Sequence, residues 1–153
     1  MNALLRASCF TLSLGIILAC GKVGPPRIPQ LAIPEAPEPI RVQSVDQGLE
    51  VTFRRPLAYL DGVPLDDLGS FEVTRTCEPG DTFVAVADIP VIDRQRFEKQ
   101  GTITLVDSDV AIDQVCTYRI VAITLDDYRS APALSAPTRR NPPTEPGPTQ
   151  PKP

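Results

Sequence analysis

The chain has 153 residues and a formal net charge of −4, with eighteen prolines, four cysteines, no histidine and no tryptophan. Without histidine, imidazole acid–base catalysis and a Ser-His-Asp arrangement are excluded. A mildly acidic chain also lacks the clustered Lys and Arg that nucleic acid requires, since its longest basic runs are the pairs Arg54-Arg55 and Arg139-Arg140.

The first nineteen residues, MNALLRASCFTLSLGIILA, carry one positive charge at Arg6 before an apolar run that closes on a small residue. That order is a secretory signal. The run falls short of the roughly 20 apolar residues that span a bilayer, so residues 1–19 are set apart from the fold. Ile17-Leu18-Ala19-Cys20, followed by Gly21, resembles the lipobox of bacterial lipoproteins. The resemblance implies cleavage before Cys20 and lipid on its sulfur, and acyl chains contribute about 0.8 kcal/mol per buried methylene to anchoring. Leu18 is larger than the small residue usual there, so a plain secretory signal with an unmodified cysteine is the alternative. Gly21, where Asp favours the inner membrane, implies the outer membrane if the host has two. Cys20-Gly21-Lys22-Val23-Gly24-Pro25 also resembles the Cys-Gly-x-x-Gly-Pro start of small envelope lipoproteins, although a flexible exit from the anchor needs Gly and Pro as well.

With the signal removed, about 134 residues remain, enough for one domain. Loss of Arg6 takes the net charge from −4 to −5. Residues 20–38 read as a Pro-rich tether in polyproline II, reaching up to about 60 Å when extended. Residues 141–153, NPPTEPGPTQPKP, read as a disordered Pro-rich tail.

From residue 39 to 140 apolar residues recur with period two, interrupted by Gly, Pro or Asp every eight to twelve positions or so. This predicts an all-β sandwich. A first strand begins at Ile40 and Val42; Leu49, Val51 and Phe53 alternate with polar residues in a second, which Pro56 ends. The turn-rich LDGVPLDDLGS leads to a third strand from Phe71 to Cys77. The segment from Thr82 to Asp88 alternates without showing which face is buried. Asp93 to Gln100 is compatible with a turn of helix, and Thr102 to Val106 is a short strand. In CTYRIVAIT, Cys116, Tyr118, Ile120 and Ala122 fall on one face, and Ala133 to Arg140 supplies a short last strand. Cys9 leaves with the signal and Cys20 takes the lipid. Cys77 and Cys116 are then the remaining pair in an oxidising compartment, and a disulfide is expected, with two buried thiols as the alternative.

LEVTFRRP, FEVTR, YRIVAIT and SAPALSAP, in that order and spacing, resemble a fibronectin type III domain. The resemblance implies a seven-stranded immunoglobulin-like sandwich over residues 39–140. It puts Cys116 where that family has its corner tyrosine, and Tyr118 two residues later on the same face. It also sets the end of the third strand antiparallel to the start of the sixth, with Cys77 beside Cys116. Pro137 and Pro142 crowd the last strand, leaving a short sheet edge of the kind that can accept a partner's strand.

The chemistry of the chain is sparse, and no enzyme active site, metal or cofactor is expected. Asp107 with Asp109, and Asp126 with Asp127, are two-acid turns, well short of the six to eight oxygens of a calcium site. The loop before the last strand places Asp127, Tyr128 and Arg129 as a candidate contact loop, with a turn-capping role for the aromatic as the alternative. The expected function is a membrane-anchored, non-catalytic sandwich that binds an envelope protein or polysaccharide. The alternative is an assembly factor for an outer-membrane complex acting through its N-terminal Gly-Pro segment.

Overall fold

A computed structural model of the chain describes residues 32–92 and 101–143. The signal, Cys20, the segment from Asp93 to Gln100 and most of the tail lie outside the described residues.

Among the described residues, eight strands form two antiparallel sheets. Strand β1 (Ile40–Val45), β2 (Gly48–Arg54) and β5 (Thr102–Asp107) make one sheet in the order β1-β2-β5. Strand β4 (Val84–Pro90), β3 (Leu68–Cys77), β6 (Val115–Thr124) and β7 (Ala133–Leu134) make the other, with β8 (Thr138–Arg139) also on β6. The sandwich is as expected. The expected seventh strand is divided into β7 and β8, because Pro137 brings no N–H to the ladder.

The core is built by alternation. Strand β6 buries every second residue, including Cys116, Tyr118, Ile120 and Ala122. Leu49, Val51 and Phe53 of β2 meet Leu68, Phe71 and Val73 of β3, and the Phe53 and Phe71 rings stand edge to face with centroids 5.1 Å apart. Such a pair contributes about 1 kcal/mol beyond its area. Gly48 is required by close approach: a Cβ there would lie 2.0 Å from the carbonyl oxygen of Asp107 on the neighbouring strand.

Strand β4 shows why its buried face was illegible. Val73 pairs with Ala87 but Thr74 pairs with Ala85, so Val86 is an extra residue in a bulge. The phase of alternation changes there, and Val86, Ala87 and Ile89 all pack on the core while Val84 stays exposed.

Residues 32–38, expected within the tether, belong to the folded body. Ala32 is buried and Pro34 and Pro37 are fully buried, and the Glu35 and Leu60 N–H groups donate to the carbonyls of Ala58 and Ile33. Proline has an apolar ring, and once flanking residues pair, burial favours it. The domain boundary therefore lies before residue 39. At the other end Asn141 is held by its N–H to Ser44 Oγ, at 2.8 Å.

Candidate binding surface

Strands β3 and β6 run antiparallel with Cys77 directly opposite Cys116, and a disulfide joins them across a Cα separation of 4.1 Å. Cys116 lies in the core and Cys77 packs against it. The bond closes the end of this sheet at which β5 finishes.

Beside it lies a buried polar cluster that the sequence did not single out. Asp107 accepts hydrogen bonds from the Arg75 guanidinium, from the Tyr118 hydroxyl at 2.9 Å and from the N–H of Asp109 at 3.2 Å. Arg75 is on β3, Tyr118 on β6 and Asp107 on β5, so the cluster ties the two sheets. Burial first, and then the bond to Asp107, push the Tyr118 hydroxyl above its ordinary pKa. Tyr118 thus bonds to the end of β5, while the position expected for a corner tyrosine holds the disulfide. Asp107 and Asp109 thus share a turn in which the Asp107 carboxylate is engaged by the Asp109 N–H. Among the described residues no group of three or more His, Cys, Asp or Glu converges on a metal position.

The candidate contact residues sit on the turn after β6. Thr124 and Tyr128 close it, through the Thr124 N–H to the Tyr128 carbonyl at 3.0 Å and the Tyr128 N–H to Thr124 Oγ1 at 3.1 Å. Asp127 takes φ 63°, a left-handed conformation that Asp tolerates. Tyr128 is half-buried. Arg129 does not point away with the loop: its Nη1 donates to Glu72 Oε2 at 2.9 Å on the outer face of β3. The three residues therefore diverge, and Asp127 and Arg129 line a groove on the outer face of the β4-β3-β6 sheet.

Ser70, Glu72, Thr74, Phe83, Ala85 and Ile123 also line that groove. Within the sheet face the Arg119 guanidinium stacks 4.4 Å from the Phe83 ring centroid, and its Nε donates to Thr74 Oγ1 at 3.1 Å. Stacking and hydrogen bonding together fix the Arg119 side chain. The surface offers an aromatic ring, two arginines, several carboxylates and hydroxyls. Sequence reasoning found the loop but missed Glu72, Phe83 and Arg119, whose association is made only by strand pairing.

At the opposite end, Tyr59 lies in the connection between β2 and β3 and donates to Asp67 Oδ1 at 2.6 Å and to Asp66 Oδ1 at 3.2 Å. Burial and Asp67 raise its pKa above the ordinary value. The Leu125 N–H bonds to the Asp67 carbonyl, so this connection and the β6–β7 turn support each other.

No protein-family model matches the chain, and no curated protein aligns with it. Solved structures do. The chain is similar to domains A168–A170 of titin, with a TM-score of 0.51 and 16% identity over 71% of this chain and 32% of that one. It is equally similar to the twitchin kinase region from C. elegans, with a TM-score of 0.51 and 15% identity over 71% of this chain and 17% of that one. The third fibronectin III domain of the human KIAA0343 protein matches over 85% of this chain and 99% of its own length at a TM-score of 0.42 and 15% identity. The chain spans about a third of the titin fragment and about a sixth of the twitchin one. The likeness is one of fold, a fibronectin type III or immunoglobulin-like sandwich.

Proposed function

We propose that the protein is a lipid-anchored, non-catalytic binding module of the cell envelope. Its sandwich presents the outer face of β3, β4 and β6, edged by Asp127 and Arg129, to an envelope protein or polysaccharide. The observation that carries this reading is the Cys77–Cys116 bond. A disulfide of this kind persists in oxidising compartments, so it supports export independently of the signal pattern at residues 1–19. Cys20, the remaining cysteine after removal of that signal, is then available for lipid.

Intact mass of the protein from the membrane fraction tests the reading, with and without reductant and alkylation. The expected mass is that of the chain cleaved before Cys20 plus acyl chains, with two thiols released by reductant alone. An unacylated mass would replace the anchored module with a freely secreted one. Two thiols free before reduction would remove the argument for an oxidising compartment.

A further inference from the structure

The basic pair at the end of β2 divides between inside and outside. Arg55 is buried, whereas Arg54 is exposed on the outer face of the β1-β2-β5 sheet, the sheet that does not carry the groove. Ile40, Val42, Val51 and Phe53 of β1 and β2 pack inward, so Arg41, Thr52 and Arg54, which alternate with them, face outward. The ladder sets Arg41 opposite Thr52, and Arg54 opposite Thr102 of β5. Arg41 and Arg54 are therefore diagonal neighbours, about 7 to 8 Å apart at the backbone and within reach of one another's long side chains.

A pocket of about 140 Å³ opens between them, lined by Pro39, Arg41, Thr52, Phe53, Arg54 and Thr102. That lining holds two guanidinium groups, two hydroxyls and no carboxylate. Glu50, the next acid along the face, is engaged by Gln43 Nε2. The other arginines are occupied: Arg75 by Asp107, Arg119 by the Phe83 ring, Arg129 by Glu72, and Arg139 and Arg140 by backbone carbonyls. Arg41 and Arg54 have no such partner among the described residues. Thr52 Oγ1 lies 3.2 Å from Thr104 Oγ1, and with Thr104 donating, the Thr52 proton is left for the pocket.

We propose that this pocket binds a phosphate monoester, with Arg41 and Arg54 forking onto its terminal oxygens and the Thr52 and Thr102 hydroxyls donating to the same group. The donor set selects the anion. A carboxylate has two oxygens and one charge, which a single guanidinium fork satisfies. Two forks and two hydroxyls match three terminal oxygens and close to two charges, which a phosphate monoester carries. Two guanidinium groups set side by side repel each other, and a doubly charged anion between them replaces that repulsion by attraction. The site lies on the other sheet from the groove, so it holds or fails independently of the binding-module reading.

The first probe is inorganic phosphate, added to the isotopically labelled chain from residue 20 onward carrying Cys20→Ser and followed by NMR, with sodium chloride and sodium acetate of equal ionic strength as references. Saturable shifts are expected at the Arg41, Thr52, Arg54 and Thr102 amides and at the two arginine Nε–H signals, with half-saturation on the order of 1 mM. Arg41→Gln and Arg54→Gln should each raise the half-saturating concentration at least about fivefold, while Arg139→Gln, which removes an exposed arginine elsewhere, should leave it unchanged. The same spectra report whether each variant is folded, and Arg54→Lys, which keeps the charge and loses the fork, should weaken binding less than Arg54→Gln. Phosphatidylcholine vesicles with and without phosphatidic acid then separate the sources of the phosphate. Retention by the phosphatidic acid vesicles that both glutamine variants lose assigns it to a lipid headgroup, and saturable binding of inorganic phosphate without such retention assigns it to a soluble ester. Equal shifts with chloride or acetate, no saturation below about 50 mM phosphate, or an equal loss in Arg139→Gln would each overturn the proposal.

Discussion

Asp107 is 4% exposed, and three groups from three parts of the chain meet its carboxylate. A buried ion pair gives little net stability over an apolar substitute, but removing one partner strands the other charge. Arg75→Ala should therefore cost about 3 to 5 kcal/mol. Arg129→Ala breaks an ion pair whose side chains are 55% and 35% exposed, where water screens the charges, and should cost about 1 kcal/mol or less. Urea midpoints of the two variants separate the cases, and equal shifts would show that Arg75 is not what neutralises Asp107. A second device at this scale repeats itself. Ser130 and Ser135 each donate their N–H to β6, at the Ala122 and Tyr118 carbonyls, and each accepts with Oγ the N–H of that same β6 residue at 3.0 Å. A serine hydroxyl thus stands in for a ladder carbonyl immediately before Ala131-Pro132 and again before Ala136-Pro137. Ser135→Ala leaves the buried Tyr118 N–H without an acceptor, which should cost about 1 to 3 kcal/mol. Faster amide exchange at Tyr118, with Ala122 unaffected, is the specific sign to look for.

At the scale of elements, the β3–β6 pair is the spine of the larger sheet, and the disulfide closes its end. The ladder from Leu68 to Cys77 fixes the register without the bond, so the bond acts mainly on the unfolded chain. With a sequence separation of 39, replacing both cysteines by alanine should lower stability by about 4 kcal/mol. The fold should remain, as far-ultraviolet circular dichroism would show, and loss of strand signal would mean that the ladder needs the crosslink. Legibility in the sequence follows the same physics. Strand β6 was readable because its alternation is unbroken, and the positions of Cys77 and Cys116 followed from the family resemblance. Strand β4 was not, because one extra residue at Val86 shifts the phase partway along. Pro34 and Pro37 misled because composition describes an isolated segment, whereas their burial depends on pairing with the connection after β2. Of the binding surface only the turn at Asp127–Arg129 was visible. Glu72 is 57 residues from Arg129, and no local pattern reports a contact of that range.

Across the whole molecule, two tyrosine hydroxyls bonded to carboxylates stand at opposite ends of the sandwich, Tyr59 with Asp66 and Asp67, and Tyr118 with Asp107. Both are raised from the ordinary 10.0, by burial before any other cause. The sign of the consequence is fixed by linkage. Below pH 10 folded and unfolded chains both keep these protons, and the two hydroxyls give no pH dependence. As pH rises past about 10 the unfolded tyrosines ionise while the folded ones stay neutral, so the unfolded state binds fewer protons and stability falls with pH. Two such groups should make the decline about twice as steep as one. Tyr118→Phe, although less stable throughout for loss of its bond to Asp107, should roughly halve the slope of unfolding free energy against pH above 10, and Tyr59→Phe should do the same. Denaturant titrations across that alkaline range read the slope directly, and in a Tyr128→Phe background, which removes the third tyrosine, tyrosinate absorbance should rise together with unfolding rather than before it. If absorbance rises while the chain is still folded, one of these hydroxyls is open to solvent and its end of the sandwich is looser than the bonded geometry requires. Slopes unchanged in both variants would place the alkaline loss in other groups and leave the tyrosines as packing elements alone.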